Sequence, residues 1–141
     1  MAYETFPHEA DIGIRGKGRT IGEAFEEAAK ALFDVEVDVK KVEARKKIKI
    51  ECQAENIEEL FVEWLNTLLT QASLHDMVFS KFEAKIVEGK PLQLKGNAYG
   101  EKFNAEKHNV KDEVKGATYS QLKVYKDKKT KKYIAQCIVD V

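Results

Sequence analysis

The sequence has little of several features that mark common functional classes. It contains only two cysteines, Cys52 and Cys137, in 141 residues, which is too few for a cysteine-rich zinc site. No apolar leader or long apolar run is present, so we expect a soluble cytoplasmic protein whose cysteines are reduced thiols. Lys plus Arg and Asp plus Glu each number 24, giving zero net charge. That balance argues against a dedicated nucleic-acid-binding protein.

Familiar enzyme motifs are also missing. The chain has no glycine-rich phosphate loop, and neither its cysteines nor Ser120 has a histidine partner at a recognisable motif spacing. We find no internal repeat, linker or low-complexity segment. The length therefore predicts one domain over residues 1–141, large enough to bury a core without a disulfide or a zinc ion.

Hydrophobic periodicity predicts two long helices. Segment 19–33 has Thr20 followed three residues later by a glutamate, the spacing of a capping box, and then apolar residues at helical intervals. Segment 56–75 begins with Asn56, a favourable cap, and carries a broad apolar stripe that includes Trp64. We therefore expect Trp64 to lie in the core.

Alternation of apolar and polar residues predicts about seven strands. They are segments 3–6, 11–17, 44–55, 77–89, 91–103, 116–127 and 132–141. Together with the helices they indicate an α+β fold. We expect two amphipathic helices to cover the inner face of a mixed or mostly antiparallel sheet.

The stretch PHEADIGI, residues 7–14, places charged residues at the start of a predicted strand. Alternation puts Asp11 on the face opposite Ile12 and Ile14. A carboxylate among core residues is costly unless it is paired, hydrogen-bonded or bound to a metal. His8 could serve as a ligand, an acid–base group or an orienting group. The alternative is that these residues only fix the entrance of the strand by hydrogen bonds.

The last residues of the sequence offer two more anionic groups, the side chain of Asp140 and the carboxylate of Val141. If the last strand pairs near the first, both groups could converge with Asp11. Oxygen ligands of this kind suit Mg²⁺, Mn²⁺ or Ca²⁺. The alternative is a frayed, solvated terminus.

Lys115 precedes a predicted strand and follows the polar run 101–113, which is long for a loop without a function. Its ammonium group could bind phosphate or balance nearby carboxylates. The alternative is a lysine that simply marks the end of a strand.

Taken in order, HEADIGI, the GEAFEEAAKALF helix, LFVEWLNTLL, the segment GEKFNAEKHNVKDEVKGATYS and the aspartate near the end resemble the archease family along essentially the whole chain. The resemblance implies a cytoplasmic, non-enzymatic accessory protein of tRNA splicing. Its partner would be the GTP-dependent tRNA ligase that joins 2′,3′-cyclic-phosphate or 3′-phosphate RNA ends to 5′-hydroxyl ends. It would promote guanylylation and multiple turnover of that ligase, with tRNA involved only through the ligase and no membrane involved.

The resemblance also implies roles for particular residues. Asp11 and Asp140, with the Val141 carboxylate, would hold a divalent ion such as calcium, magnesium or manganese. Lys115 would be a functional residue in ligase activation, and His8 would stand beside the acidic cluster.

Two other functional classes remain open from the sequence. A small metal-dependent phosphohydrolase could use the carboxylates, an ion and Lys115 as a charge clamp. A general chaperone or RNA-binding module is the other alternative, although the balanced charge does not favour it.

Overall fold

The computed structural model describes residues 2–141 and forms eight strands in that range, arranged in two antiparallel sheets. The strands are β1 (Ala2–His8), β2 (Asp11–Gly18), β3 (Lys46–Ala54), β4 (Met77–Val87), β5 (Leu92–Lys102), β6 (Gly116–Ala117), β7 (Lys123–Lys126) and β8 (Tyr133–Asp140). The five-stranded sheet has the order β1-β2-β8-β6, with β7 also paired to β8. The three-stranded sheet has the order β3-β5-β4.

Both predicted long helices are present and begin at the expected caps. Helix α1 (Ile21–Glu36) starts where the Thr20 hydroxyl oxygen accepts the N–H of the third residue beyond it, at 3.1 Å. Helix α2 (Ile57–His75) starts in the same way at Asn56, at 2.9 Å. Each cap satisfies one of the backbone donors that a helix start leaves without a partner. A short helix, α3 (Ala105–His108), is an addition to the prediction.

The two long helices join the two sheets. Helix α1 packs on β2 and β8 of the five-stranded sheet and on β4 of the three-stranded sheet, whereas α2 packs mainly on β3. One cluster of buried residues draws on both sheets and both helices. Trp64 lies within it with no exposed surface. Its indole N–H donates to the backbone carbonyl of Phe25 at 3.0 Å, which ties α2 to α1.

The α+β class is confirmed, but two details differ from the prediction. The strands form two sheets instead of one. The predicted strand 116–127 is divided into β6 and β7 by a turn after Thr118, a residue that bonds both across the sheet and within the turn. Its hydroxyl donates to the carbonyl of Ile138 at 2.8 Å and accepts the N–H of Ser120 at 3.1 Å. The N–H of Leu122 donates to the carbonyl of Tyr119 at 3.3 Å and closes the turn.

Within residues 2–141, none of the helices has the length and apolar content needed to span a membrane.

Candidate functional site

Two aspartates that are far apart in the sequence lie side by side at one end of the five-stranded sheet. The antiparallel register pairs Ile12 of β2 with Val139 of β8. One position further towards this end, Asp11 therefore faces Asp140 across the two strands. Ile12 packs against the core and Val139 is fully buried, so alternation directs both aspartates to the opposite, outer face of the sheet.

His8 and Lys115 lie at the same end of the sheet. His8 pairs directly with Asp11 across the turn between β1 and β2, so their side chains share a face. The backbone N–H of Lys115 donates to the carbonyl of Asp140 at 2.7 Å. The sheet thus places three predicted site residues on the neighbouring strands β1, β2 and β8, and a fourth on the segment that leads into β6.

The two aspartate side chains are available for a ligand. Among residues 2–141, neither Asp11 nor Asp140 forms a side-chain hydrogen bond or an ion pair. Asp11 is half-buried, whereas Asp140 is exposed. Like charges placed opposite each other on neighbouring strands are unfavourable. A bound cation would relieve this repulsion.

The side chains provide only part of a metal site. No three His, Cys, Asp or Glu side chains in the described part of the chain come together closely enough to hold an ion. Two carboxylates suit an ion that keeps several waters or binds substrate phosphates, which is the usual behaviour of Mg²⁺. The side chain of Val141 is half-buried and packs against the core, which anchors the backbone beyond Asp140. The donor set therefore fits a hard, partly hydrated cation.

The exposed ammonium of Lys115 is also free of intramolecular pairing. It forms no ion pair with the carboxylates of residues 2–141, although its backbone is fixed by the bond to Asp140. A cation on a fixed backbone can reach a phosphate or carboxylate on another molecule.

The polar run before Lys115 has a structural role that the sequence did not reveal. His108 is completely buried, and its Nδ1 accepts the backbone N–H of Asn104 at 3.0 Å. The ring proton therefore lies on Nε2, which donates to Glu101 at 2.9 Å. Desolvation raises the pKa of Glu101, but hydrogen bonds from the backbone of Glu43, from His108 and from Lys107 outweigh it and lower the pKa to about 2. His108 thus anchors this segment to β5.

The remainder of this segment packs over the end of α1. The backbone N–H groups of Lys111 and Asp112 donate to the carbonyls of Glu36 and Val35 at 2.8 and 3.2 Å. The side chain of Val110 stays exposed. An isolated valine in a polar run gives a weak periodic signal, so the sequence did not show that this segment forms one wall of a groove.

Comparison with known proteins places the whole chain in one family. The model of the Archease protein family matches residues 3–141. Protein archease of Pyrococcus furiosus is 48% identical over 124 residues, covering 86% of this chain and 87% of that protein.

Solved structures share the fold. The solution structure of protein 1598 from Methanobacterium thermoautotrophicum has a TM-score of 0.85 and 33% identity, covering 99% of both chains. The crystal structure of an archease from Thermotoga maritima, described as a possible chaperone, has a TM-score of 0.61 and 20% identity. It covers 98% of this chain and 96% of that one. The end-to-end family match, the sequence identity and the shared fold agree: this chain belongs to the archease family.

Proposed function

We propose that this protein is a non-catalytic accessory factor of the GTP-dependent RNA ligase that joins 2′,3′-cyclic-phosphate or 3′-phosphate ends to 5′-hydroxyl ends. It promotes guanylylation of the ligase and its repeated turnover. The observation that carries the proposal is the register that sets Asp11 opposite Asp140 at one end of the sheet, with the backbone of Lys115 bonded to Asp140. Family membership supports the same role.

Asp11 and Asp140 hold one divalent ion of the Mg²⁺, Mn²⁺ or Ca²⁺ type in this proposal, and the carboxylate of Val141 is the third predicted ligand. The ion supplies positive charge opposite phosphate oxygens. The two aspartates present it at an end of the sheet that another protein can approach, and His8 lies beside Asp11 on the adjacent strand. An incomplete protein ligand set leaves coordination positions for a nucleotide.

Lys115 contributes a compact positive charge at the same end of the sheet. An accessory factor accelerates a step only if it binds one state of its partner, or the transition state, better than another. A tenfold gain in rate requires about 1.4 kcal/mol of such preference. One charge-assisted contact from Lys115 is of this order.

Ligase assays with Lys115 variants test the proposal. Wild-type protein should stimulate guanylylation and joining with excess RNA, GTP and Mn²⁺ or Mg²⁺, and folded Lys115→Ala should not. Lys115→Arg should rescue only in part, because a planar guanidinium does not reproduce a compact ammonium. Lys85→Ala is a matched control, since Lys85 is an exposed lysine on the other sheet. Full stimulation by Lys115→Ala would remove this residue from the mechanism.

Two further assays separate the alternatives. Phosphate release from RNA ends or GTP by this chain alone, lost in Asp11→Ala, would indicate a phosphohydrolase. A general chaperone is the second candidate, favoured by exposed Leu74, Phe103 and Val110 and by the description of the Thermotoga maritima protein. Protection of unrelated proteins from aggregation, without stimulation of the ligase, would establish that function.

A further inference from the structure

An open groove lies beside Lys115, between the C-terminal part of α2 and the segment 103–115. Its volume is about 820 Å³. We refer to it as the Lys115 groove, defined by six of its lining residues: Glu36, Leu74, Phe103, Val110, Asp112 and Lys115.

The groove concentrates exposed apolar surface. Leu74, Phe103 and Val110 are 72%, 40% and 53% exposed, and they are three of the five large hydrophobic residues exposed within residues 2–141. Beneath them, lining residues such as Met77 and Val114 are buried. Single exposed apolar residues are common, but a cluster at one concavity marks an interaction surface.

The border of the groove is acidic. Three exposed carboxylates, those of Asp76, Asp112 and Glu113, line it, against the one basic lining residue, Lys115. None of these three carboxylates forms an ion pair among the described residues. Local acidity in a chain of zero net charge favours a ligand that carries positive charge and repels phosphate groups.

The walls of the groove are held by backbone hydrogen bonds. The N–H of Phe103 donates to the carbonyl of Asp76 at 2.9 Å, and that of Lys111 donates to the carbonyl of Glu36 at 2.8 Å. The N–H of Val114 donates to the Glu36 carboxylate at 3.3 Å. A groove that is already formed does not have to be ordered when its ligand binds, which favours affinity.

We propose that the Lys115 groove docks a protein segment whose apolar side chains are flanked by Lys or Arg. The proposal rests on the proposed function, because it assigns this segment to the RNA ligase. The apolar side chains cover Leu74, Phe103 and Val110, and the basic residues pair with Asp112 and Glu113. Docking there places the ligase against Lys115 and the neighbouring carboxylate pair.

Titration calorimetry with the intact ligase tests docking separately from activation. Leu74→Asp and the double variant Asp112→Lys, Glu113→Lys should each weaken binding at least tenfold. Their maximal stimulation at saturating concentration should stay close to that of the wild type. Lys115→Ala should show the opposite pattern, with binding retained and stimulation lost. Tyr125→Asp, an exposed residue of β7 that does not line the groove, is the control.

The outcomes distinguish the docking proposal from the proposed function. If ligase binding depends on the groove but the wild type does not stimulate the ligase, the docking proposal stands and the activation proposal is rejected. Stimulation with unchanged affinity of both groove variants, after circular dichroism shows them folded, would reject docking alone. Loss of wild-type self-association in sedimentation, with ligase affinity unchanged, would show that a second copy covers the groove. No detectable binding of the wild type to the ligase would overturn both proposals.

Discussion

The carboxyl group of Glu36 predicts an unusual dependence of stability on pH. It lies at the end of α1, mostly buried by the overlying segment, and desolvation is the main cause that raises its pKa from 4.5 to about 7. The hydrogen bond from the backbone of Val114 acts in the opposite direction, and the negative charge of Glu113 adds to the increase. In the native state this group therefore holds its proton to higher pH than in the unfolded chain.

The sign and size of the effect follow from proton linkage. Between pH 4.5 and about 7 the folded state binds more protons at Glu36 than the unfolded state does, so stability falls as the pH rises. The contribution is fully present below pH 4.5 and is lost above pH 7. Each pKa unit corresponds to about 1.4 kcal/mol, so the loss amounts to about 3 kcal/mol at most.

Urea unfolding of the wild type and of Glu36→Gln at pH 4.5 and pH 8 measures this contribution. The glutamine can still accept the N–H of Val114 but does not ionise. We expect equal free energies of unfolding at pH 4.5, and a more stable variant at pH 8 by up to about 3 kcal/mol. Groups whose pKa is lowered in the folded state, such as Glu101, contribute equally to the pH dependence of stability in the wild type and in the variant. Parallel pH profiles for wild type and variant would refute the reasoning, and the exposed Glu88→Gln is the control.

Three further predictions concern the core, the metal and the sheet. Trp64→Ala should lower the free energy of unfolding by about 3–5 kcal/mol through cavity formation. Trp64→Phe should lower it by about 1–2 kcal/mol, largely because the hydrogen bond of the indole is lost. A change below about 1 kcal/mol in the alanine variant would exclude Trp64 from the core. Mn²⁺ titration should show a site that is lost in the Asp11→Ala, Asp140→Ala variant, and undiminished affinity would reject a shared site. Gly100→Ala should destabilise the folded protein by about 1–3 kcal/mol, because the added methyl carbon would meet the backbone of β4. Gly116→Ala should be nearly neutral, because its added carbon would meet only a side-chain oxygen at 3.5 Å. Thermal unfolding measures both effects.

The long helices could be predicted because their signals are local. Thr20 and Asn56 cap the helices where the sequence placed them, and the apolar stripe that contains Trp64 is buried. Capping and periodicity act within a few residues of the chain, so one sequence is enough to reveal them.

The number of sheets was not predictable in the same way. Ile14 and Ile50 are both completely buried and both belong to alternating strands, yet they lie in different sheets. Alternation shows which face of a strand is covered but does not identify the neighbouring strand. Pairing depends on contacts between distant segments, and only the structure provides them.

The candidate site could be predicted from the sequence only in part. The sequence suggested that Asp11 and Asp140 converge if the first and last strands lie close together, and the register of β2 and β8 brings them side by side. Their role as metal ligands, and that of Val141, remains a prediction. The groove could not be inferred, because Phe103 and Val110 are single apolar residues in a polar run and their proximity to Leu74 is a tertiary feature.

Segment 111–115 connects the Lys115 groove to the pair of Asp11 and Asp140, which gives a physical reason for the two features to act together. It is tied at one end by the bond from Lys111 to Glu36 and at the other by the bond from Lys115 to Asp140. A ligase segment seated in the groove would therefore be held close to the acidic pair. Two aspartates alone would bind a metal ion weakly, but docking would raise their effective concentration at the partner's nucleotide. In this proposal, the free energy of binding in the groove holds the two aspartates and Lys115 next to the active site of the ligase. Their modest electrostatic contribution can then change the rate of the ligase reaction.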